Sequence, residues 1–167
     1  MPAVTPFLWF DDQAEEAVHF YVGIFPNSTV EQVARYGENG PGPAGSVMTI
    51  RFELDGHPFV ALNGGPEHYH FDESISFVID CADQAEVDRY WGALTEGGEE
   101  IACGWLRDRY GLRWQVVPSE LPGLLADPDP ARAAAATEAM LRMKKLDIGV
   151  MKAAADAATT GAGAVTG

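Results

Sequence analysis

The segment Asp12-Gln13-Ala14-Glu15 recurs as Asp83-Gln84-Ala85-Glu86, 71 residues further along the chain. Each copy follows a short apolar stretch, Phe7 to Phe10 in one case and Ile75 to Ile79 in the other. Each copy also opens a helical pattern that carries an aromatic pair, Phe20-Tyr21 and Tyr90-Trp91. Matching letters in a matching strand–helix context mark a duplicated unit, and a duplication of this length constrains the fold more than any composition does. In a chain of 167 residues it leaves two modules and a C-terminal remainder.

Within each module the periodicity is plain. Ala14, Ala17, Val18, Tyr21 and Phe25 form one stripe of a helix over 12–24, with Asp12 at the N-cap position, Glu15 three residues on and Pro26-Asn27 as the stop. The second helix repeats the design with Asp83, Glu86, then Val87, Tyr90, Trp91 and Leu94, and Gly97-Gly98 ends it. Val47 to Leu54 alternates, with Met48, Ile50, Phe52 and Leu54 opposite Thr49, Arg51 and Glu53. Asp55-Gly56 is a hairpin signal and Pro58 to Asn63 the returning strand. Thr29 to Tyr36 is a further strand, followed by a Gly/Pro loop over 37–45. After the second helix, short strands are expected over 100–103, 105–108 and 113–117. Each half thus reads strand, helix, three strands. Two helices are expected over 131–143 and 146–158, with Asp127-Pro128-Asp129-Pro130 starting the first, and a Gly/Ala/Thr tail, disordered, over 159–167.

Charge excludes some functions. Lys and Arg number 11 against 25 Asp and Glu, a formal net charge of −14. Nucleic-acid binding needs a basic patch, and an anionic membrane surface repels this balance. No apolar run approaches the ~20 residues of a spanning helix, and the N-terminus has no signal-peptide pattern. Cys81 and Cys103 are too few for a disulfide framework. The expectation is a cytoplasmic protein with a small-molecule ligand and neither nucleic acid nor membrane as partner.

The stretches TPFLWFDDQAEEAVHFYVGIFPNS, FELDGHPFVALNGGP, SISFVIDCADQAEVDRYW and CGWLRDRYGLRWQVVP, with LLADPDPARA and AMLRMKKLDI after them, resemble the PhnB-like family, whose members are often called 3-demethylubiquinone-9 3-methyltransferases. It is a branch of the vicinal-oxygen-chelate superfamily of glyoxalases, bleomycin-resistance proteins and extradiol dioxygenases. The resemblance implies an α+β, glyoxalase-like fold. Two duplicated βαβββ modules, about 5–65 and 74–118, would curve mixed sheets around a cavity in a domain over 1–120. C-terminal helices over 121–158 would follow, and a homodimer is the expected assembly.

Metal-dependent members of that superfamily carry ligands at equivalent points on four strands. Counting back from the aromatic pairs puts two of these at Thr5 (Pro6 is the near alternative) and Ser76, again 71 apart, and the others near Asn63 and Gln115. Hydroxyls and amides are weak ligands for divalent transition metals and cannot balance their charge, so no metal is expected there and no cofactor is expected. His68-Tyr69-His70 with Asp72 and Glu73 has ligand-like spacing but lies in the connector, where a solvated loop is the simpler reading. His19 reads as a surface helical residue and His57 as part of a turn. Gly40-Pro41-Gly42-Pro43-Ala44-Gly45 spells G-x-G-x-x-G, yet it precedes a strand and its prolines lack N–H groups, so it reads as a hairpin loop.

Strand parity nominates the cavity lining. Leu8 and Phe10 pack on the first helix, which turns Thr5, Phe7 and Trp9 inward; Ile75, Phe77 and Ile79 pack on the second, which leaves Ser74, Ser76 and Val78. Arg51 and Glu53 oppose the core face, Arg113 and Gln115 share the inward face of the last strand, and Trp105 follows a Cys-Gly turn. Thr5, Phe7, Trp9, Arg51, Glu53, Asn63, Ser76, Trp105, Arg113 and Gln115 are therefore the candidate ligand-binding residues, suited to a small aromatic or anionic compound. No catalytic residue can be assigned. Metal-free binding is the leading expectation; an enzyme of the same fold, a lyase, isomerase or the nominal methyltransferase, is the alternative. A weaker possibility makes Met140, Leu141, Leu146, Ile148 and Met151 a dimerisation surface.

Overall fold

A computed structural model describes residues 4–162. The chain divides between His70 and Phe71 into two compact units.

The first unit runs β1 (Phe7–Phe10), α1 (Ala14–Ile24), β2 (Thr29–Arg35), β3 (Val47–Leu54) and β4 (His57–Asn63), with sheet order β1-β4-β3-β2. β1 pairs with β4 in parallel, while β3 pairs with β4 and β2 antiparallel. The β3–β4 hairpin closes at Asp55-Gly56, both at positive φ (48° and 74°), as a two-residue turn matched to strand twist demands. α1 covers one face, where Leu8, Phe10, Ile50, Phe52, Leu54 and Ala61 are buried with Ala17, Val18 and Tyr21.

The helix start differs from expectation. Asp12 does not cap α1; Gln13 holds the N-cap position without a side-chain bond, and Asn63 Oδ1 accepts the Ala14 N–H at 2.8 Å instead. The cap thus comes from the end of β4, 49 residues away. Local spacing cannot reveal such a donor–acceptor pair.

The second unit repeats the order with β5 (Phe77–Cys81), α2 (Gln84–Thr95), β6 (Glu99–Glu100), β7 (Trp105–Arg107) and β8 (Arg113–Pro118), in sheet order β5-β8-β7-β6. β5 and β8 are parallel, as are their counterparts β1 and β4. Here the capping expectation is met: Asp83 accepts from Glu86 N–H at 2.9 Å, and the Glu86 carboxylate reaches back to Ala82 N–H at 2.8 Å. β5 begins later than expected because Asp72 Oδ1 accepts the Ser74 N–H at 2.9 Å and holds a turn over 73–75. Ile75 therefore lies outside the strand, 54% exposed, and does not pack on α2.

The C-terminal helices, α3 (Leu121–Leu125), α4 (Pro130–Leu141) and α5 (Ile148–Ala162), belong to this second unit. α3 precedes the two helices expected over 131–143 and 146–158, and α5 carries helix through Thr159–Ala162, where a tail was expected; residues 163–167 lie outside the described residues. Leu121, Leu146 and Met151 form a buried cluster. The 143–148 segment is tied to the module by backbone and side chain. Cys103 N–H donates to Met143 O at 2.9 Å and Gly104 N–H to Lys144 O at 2.8 Å, while Gln84 bonds both Leu146 O (3.1 Å) and Ile148 N–H (2.9 Å). Gly104 (φ 85°) is required there, since a Cβ would lie 2.8 Å from Val116 O and 3.1 Å from Leu146. Leu146, Ile148 and Met151 are thus buried within their own chain, Met140 packs partly buried against the same cluster, and Leu141 alone of the supposed dimerisation set is exposed. Among the described residues no helix is long and apolar enough to cross a membrane.

One buried ionisable group organises the second sheet. Asp108, 1% exposed, accepts the N–H groups of Tyr110 (2.9 Å) and Leu112 (3.0 Å) through one oxygen and the Trp114 indole N–H (2.9 Å) through the other. It closes the β7–β8 connection and fixes the largest side chain of β8. Asp108→Ala strands three donors, so the urea midpoint should fall by an amount equivalent to about 3 kcal/mol or more. A loss below about 1 kcal/mol would show that the carboxylate is dispensable.

Candidate functional site

The register of the parallel pairs decides which residues share the faces turned away from the helices. In the second unit Val78 pairs with Gln115 and Gln115 with Trp105, so these three form one row across β5, β8 and β7. Arg113 and Arg107 form the next row. Ser76, just before β5, extends the face, and its hydroxyl accepts from Gln115 Nε2 at 2.9 Å. The alternate residues Trp114, Val116, Ile79 and Cys81 are buried on the α2 side. Four of the expected site residues, Ser76, Gln115, Trp105 and Arg113, are thus brought together on one sheet face.

Arg113 is the strongest charge of this face. Its side chain is 12% exposed; Nε donates to Glu73 Oε1 at 2.8 Å and Nη1 to Gly111 O at 2.6 Å. Glu73 is 60% exposed, and the Arg113 hydrogen bond holds its carboxyl below the ordinary range. Arg107 is bound likewise to Glu99 at 3.0 Å. Both arginines of the face therefore meet an exposed carboxylate rather than a buried one.

In the first unit the corresponding rows are Phe7, Val60 and Arg51, and Trp9, Leu62 and Thr49; Glu53 pairs with Pro58. Phe7 and Arg51 are exposed, Glu53 is half-buried, and Thr5 lies half-buried just before β1. Trp9 is less free than parity alone implies. Its indole N–H donates to Gly65 O at 3.2 Å, its ring meets Tyr69 edge-on at 5.2 Å, and a Cβ on Gly64 would lie 2.2 Å from it. The 64–69 connector packs on it.

Asn63 does not join this face. It pairs with Phe10, on the α1 side, and besides capping α1 its side-chain amide donates to Val47 O at 3.2 Å while its backbone carbonyl accepts the Tyr36 hydroxyl at 2.6 Å. The residue that matches Gln115 in register is Val60: Val60 pairs with Phe7 as Gln115 pairs with Val78, and Phe7 and Val78 are 71 apart. The expected position near Asn63 lies three residues beyond this register match, because the β4 and β8 strand ends are not equivalent. Thr, Val, Ser and Gln at the four register-matched points are a poorer donor set than the expected one. Among the described residues no three His, Cys, Asp or Glu side chains come together to hold a metal ion, His68, His70 and Asp72 included. Cys81 is buried and its thiol pushed up to about 11, chiefly by that burial, so it is no nucleophile.

A concavity in the first unit went unread in the sequence. A cleft of about 490 Å³ lies in the first unit between the start of α1 and the 37–45 loop, lined by Asp11, Asp12, Glu15, Arg35, Tyr36 and Asn63 among others. Its only sequence signals are the acidic pair before α1 and the Gly/Pro loop. That loop is the G-x-G-x-x-G segment. It leads into β3, not a helix, and Gly40 and Gly42 face Tyr36: a Cβ on Gly42 would lie 2.5 Å from the ring. The segment does not fit a nucleotide or S-adenosylmethionine cradle, which needs free N–H groups at a helix start.

A model of the 3-demethylubiquinone-9 3-methyltransferase family matches residues 2–117. The chain belongs to this family. It is 31% identical to the PhnB protein of Bacillus cereus, with a TM-score of 0.65 over 70% of this chain and 99% of that one. A Pseudomonas aeruginosa protein is 24% identical, with a TM-score of 0.59 over 71% and 98%. The fosfomycin resistance protein FosX of Listeria monocytogenes, 14% identical with a TM-score of 0.53 over 73% and 94%, shares the fold. The architecture is the glyoxalase-like one of the vicinal-oxygen-chelate superfamily. Among curated proteins none matches the chain in sequence. The family match ends at residue 117, before α3.

Because Tyr36 is buried and anchored through its hydroxyl, Gly42→Ala should overpack the loop and cost about 1–3 kcal/mol in chemical denaturation. An unchanged stability would mean that the glycines are free for another role.

Proposed function

We propose that this family member binds a small aromatic or anionic compound, without a metal, on the open face of the second sheet. The observation that carries the reading is the Ser76–Gln115 hydrogen bond set between Trp105 and Arg113 on one strand face. An aromatic plane, a neutral donor–acceptor pair and a guanidinium are the convergent polar and apolar groups that orient a small ligand. The neutral side chains at the register-matched points support binding over metal-assisted chemistry. Phe7, Trp9, Arg51, Glu53 and Thr5 on the first sheet offer a second surface of the same kind. Two free cysteines support a cytoplasmic setting, and the 59% exposure of Phe7 supports a homodimer.

The test is thermal unfolding of EDTA-treated protein against aromatic and anionic compounds. A ligand at 100 times its Kd should stabilise by about 2.7 kcal/mol, read as a clear rise in Tm. Trp105→Ala and Gln115→Ala should abolish the rise. No stabilisation by any compound, or stabilisation only with a divalent metal restored, would contradict the reading.

A further inference from the structure

We infer that Glu73 is a built-in stand-in for the ligand's carboxylate: the compound bound on the second sheet's open face is an aromatic carboxylate, and it enters by displacing Glu73 from Arg113. This rests on the reading that the face binds ligand, and it adds the ligand class and a competition within the site.

The two partners are unequal in a way that suits exchange. Arg113 is held: its side chain is 12% exposed, it rises from β8 within a paired register, and Nη1 is anchored on Gly111 O at 2.6 Å. Glu73 is not. It sits in the Asp72–Ser74 turn, 60% exposed, and the Arg113 guanidinium is its one side-chain partner in an ion pair among the described residues. Releasing Glu73 returns a carboxylate to water at little cost, whereas leaving the sheltered guanidinium unpaired is unfavourable. A replacement oxyanion is therefore favoured over an empty site.

The geometry also selects the ligand. Nε, the atom Glu73 engages, belongs to the guanidinium edge that receives a planar carboxylate through two parallel hydrogen bonds. Gln115 lies two residues along β8, about 7 Å away, and Trp105 is its register partner on β7. A carboxylate on Arg113 thus lies on the same sheet face as the indole and the Gln115–Ser76 pair. Arg107 cannot play the same part, since its own side chain is 44% exposed and its Glu99 partner lies on the adjacent paired strand.

The experiment titrates benzoate into wild type, Glu73→Gln, Arg113→Gln and Arg113→Lys, reading Kd by NMR from the Trp105 indole signal, with thermal melts to verify folding. Removing the internal competitor should tighten benzoate binding roughly two- to fivefold in Glu73→Gln, the range expected for a solvent-exposed ion pair. Arg113→Gln should lose binding, and Arg113→Lys, which keeps charge but not the fork, should weaken it. Benzoate binding that is unchanged or weaker in Glu73→Gln overturns the exchange. Should phenol bind with Trp105 and Gln115 dependence while benzoate does not, the face is a ligand site and the carboxylate class is wrong. Binding of neither to wild type or Glu73→Gln contradicts both.

Discussion

The parallel pairing of first and last strand in each module is the constraint on which the rest depends. β1 on β4 and β5 on β8 fix which side chains enter the helix-covered core and which are left on the opposite face. A slip of one residue would exchange Trp114 and Val116 for Arg113 and Gln115, burying a guanidinium and exposing an indole. The Asp108 network opposes that slip, because its carboxylate holds both the backbone of the β7–β8 connection and the Trp114 ring. Core and candidate site are two sides of the same register.

The duplicated modules solve one problem with different parts. α2 is capped locally by Asp83 and Glu86, whereas α1 borrows Asn63 from the far end of β4. That borrowed cap also ties β3 through Val47 and meets Tyr36, over which the 37–45 loop folds. The residue nominated as a ligand position in the first module is thereby committed to structure. In the second module Gln115 keeps its amide on the open face, where it donates to the Ser76 hydroxyl. The C-terminal region adds a third difference, since the connector between α4 and α5 accepts the N–H groups of the Cys103-Gly104 turn through Met143 O and Lys144 O and buries Leu146 against it.

What depends on neighbours in sequence was legible in it. The alternation of Val47–Leu54 placed Arg51 and Glu53 opposite the core, β1 fell on Phe7–Phe10, and Asp55-Gly56 formed its turn. The repeat located both modules, and the parity of β8 brought Arg113 and Gln115 onto one face. What failed did so where a distant group supplies the missing bond or an adjacent turn shifts a boundary. Asn63 looked like a site residue because its role at α1 lies 49 positions away. Asp108 looked like an ordinary strand-end acid, since nothing local announces three donors converging on it. Ile75 alternated correctly with Phe77, but the Asp72 turn consumed it before the strand began. Glu73 read as part of the His68–Glu73 connector cluster, and only the fold sets it on Arg113.

The account turns on where a ligand lands. Chemical-shift mapping of backbone amides and indole N–H groups, with aromatic carboxylates added to metal-free protein, addresses this directly. Shifts concentrated at Ser76, Trp105, Arg113 and Gln115 are expected. Shifts concentrated instead around Asp11, Tyr36 and the 37–45 loop, or along α4 and α5, would place the binding site elsewhere and contradict the assignment of the second sheet's open face.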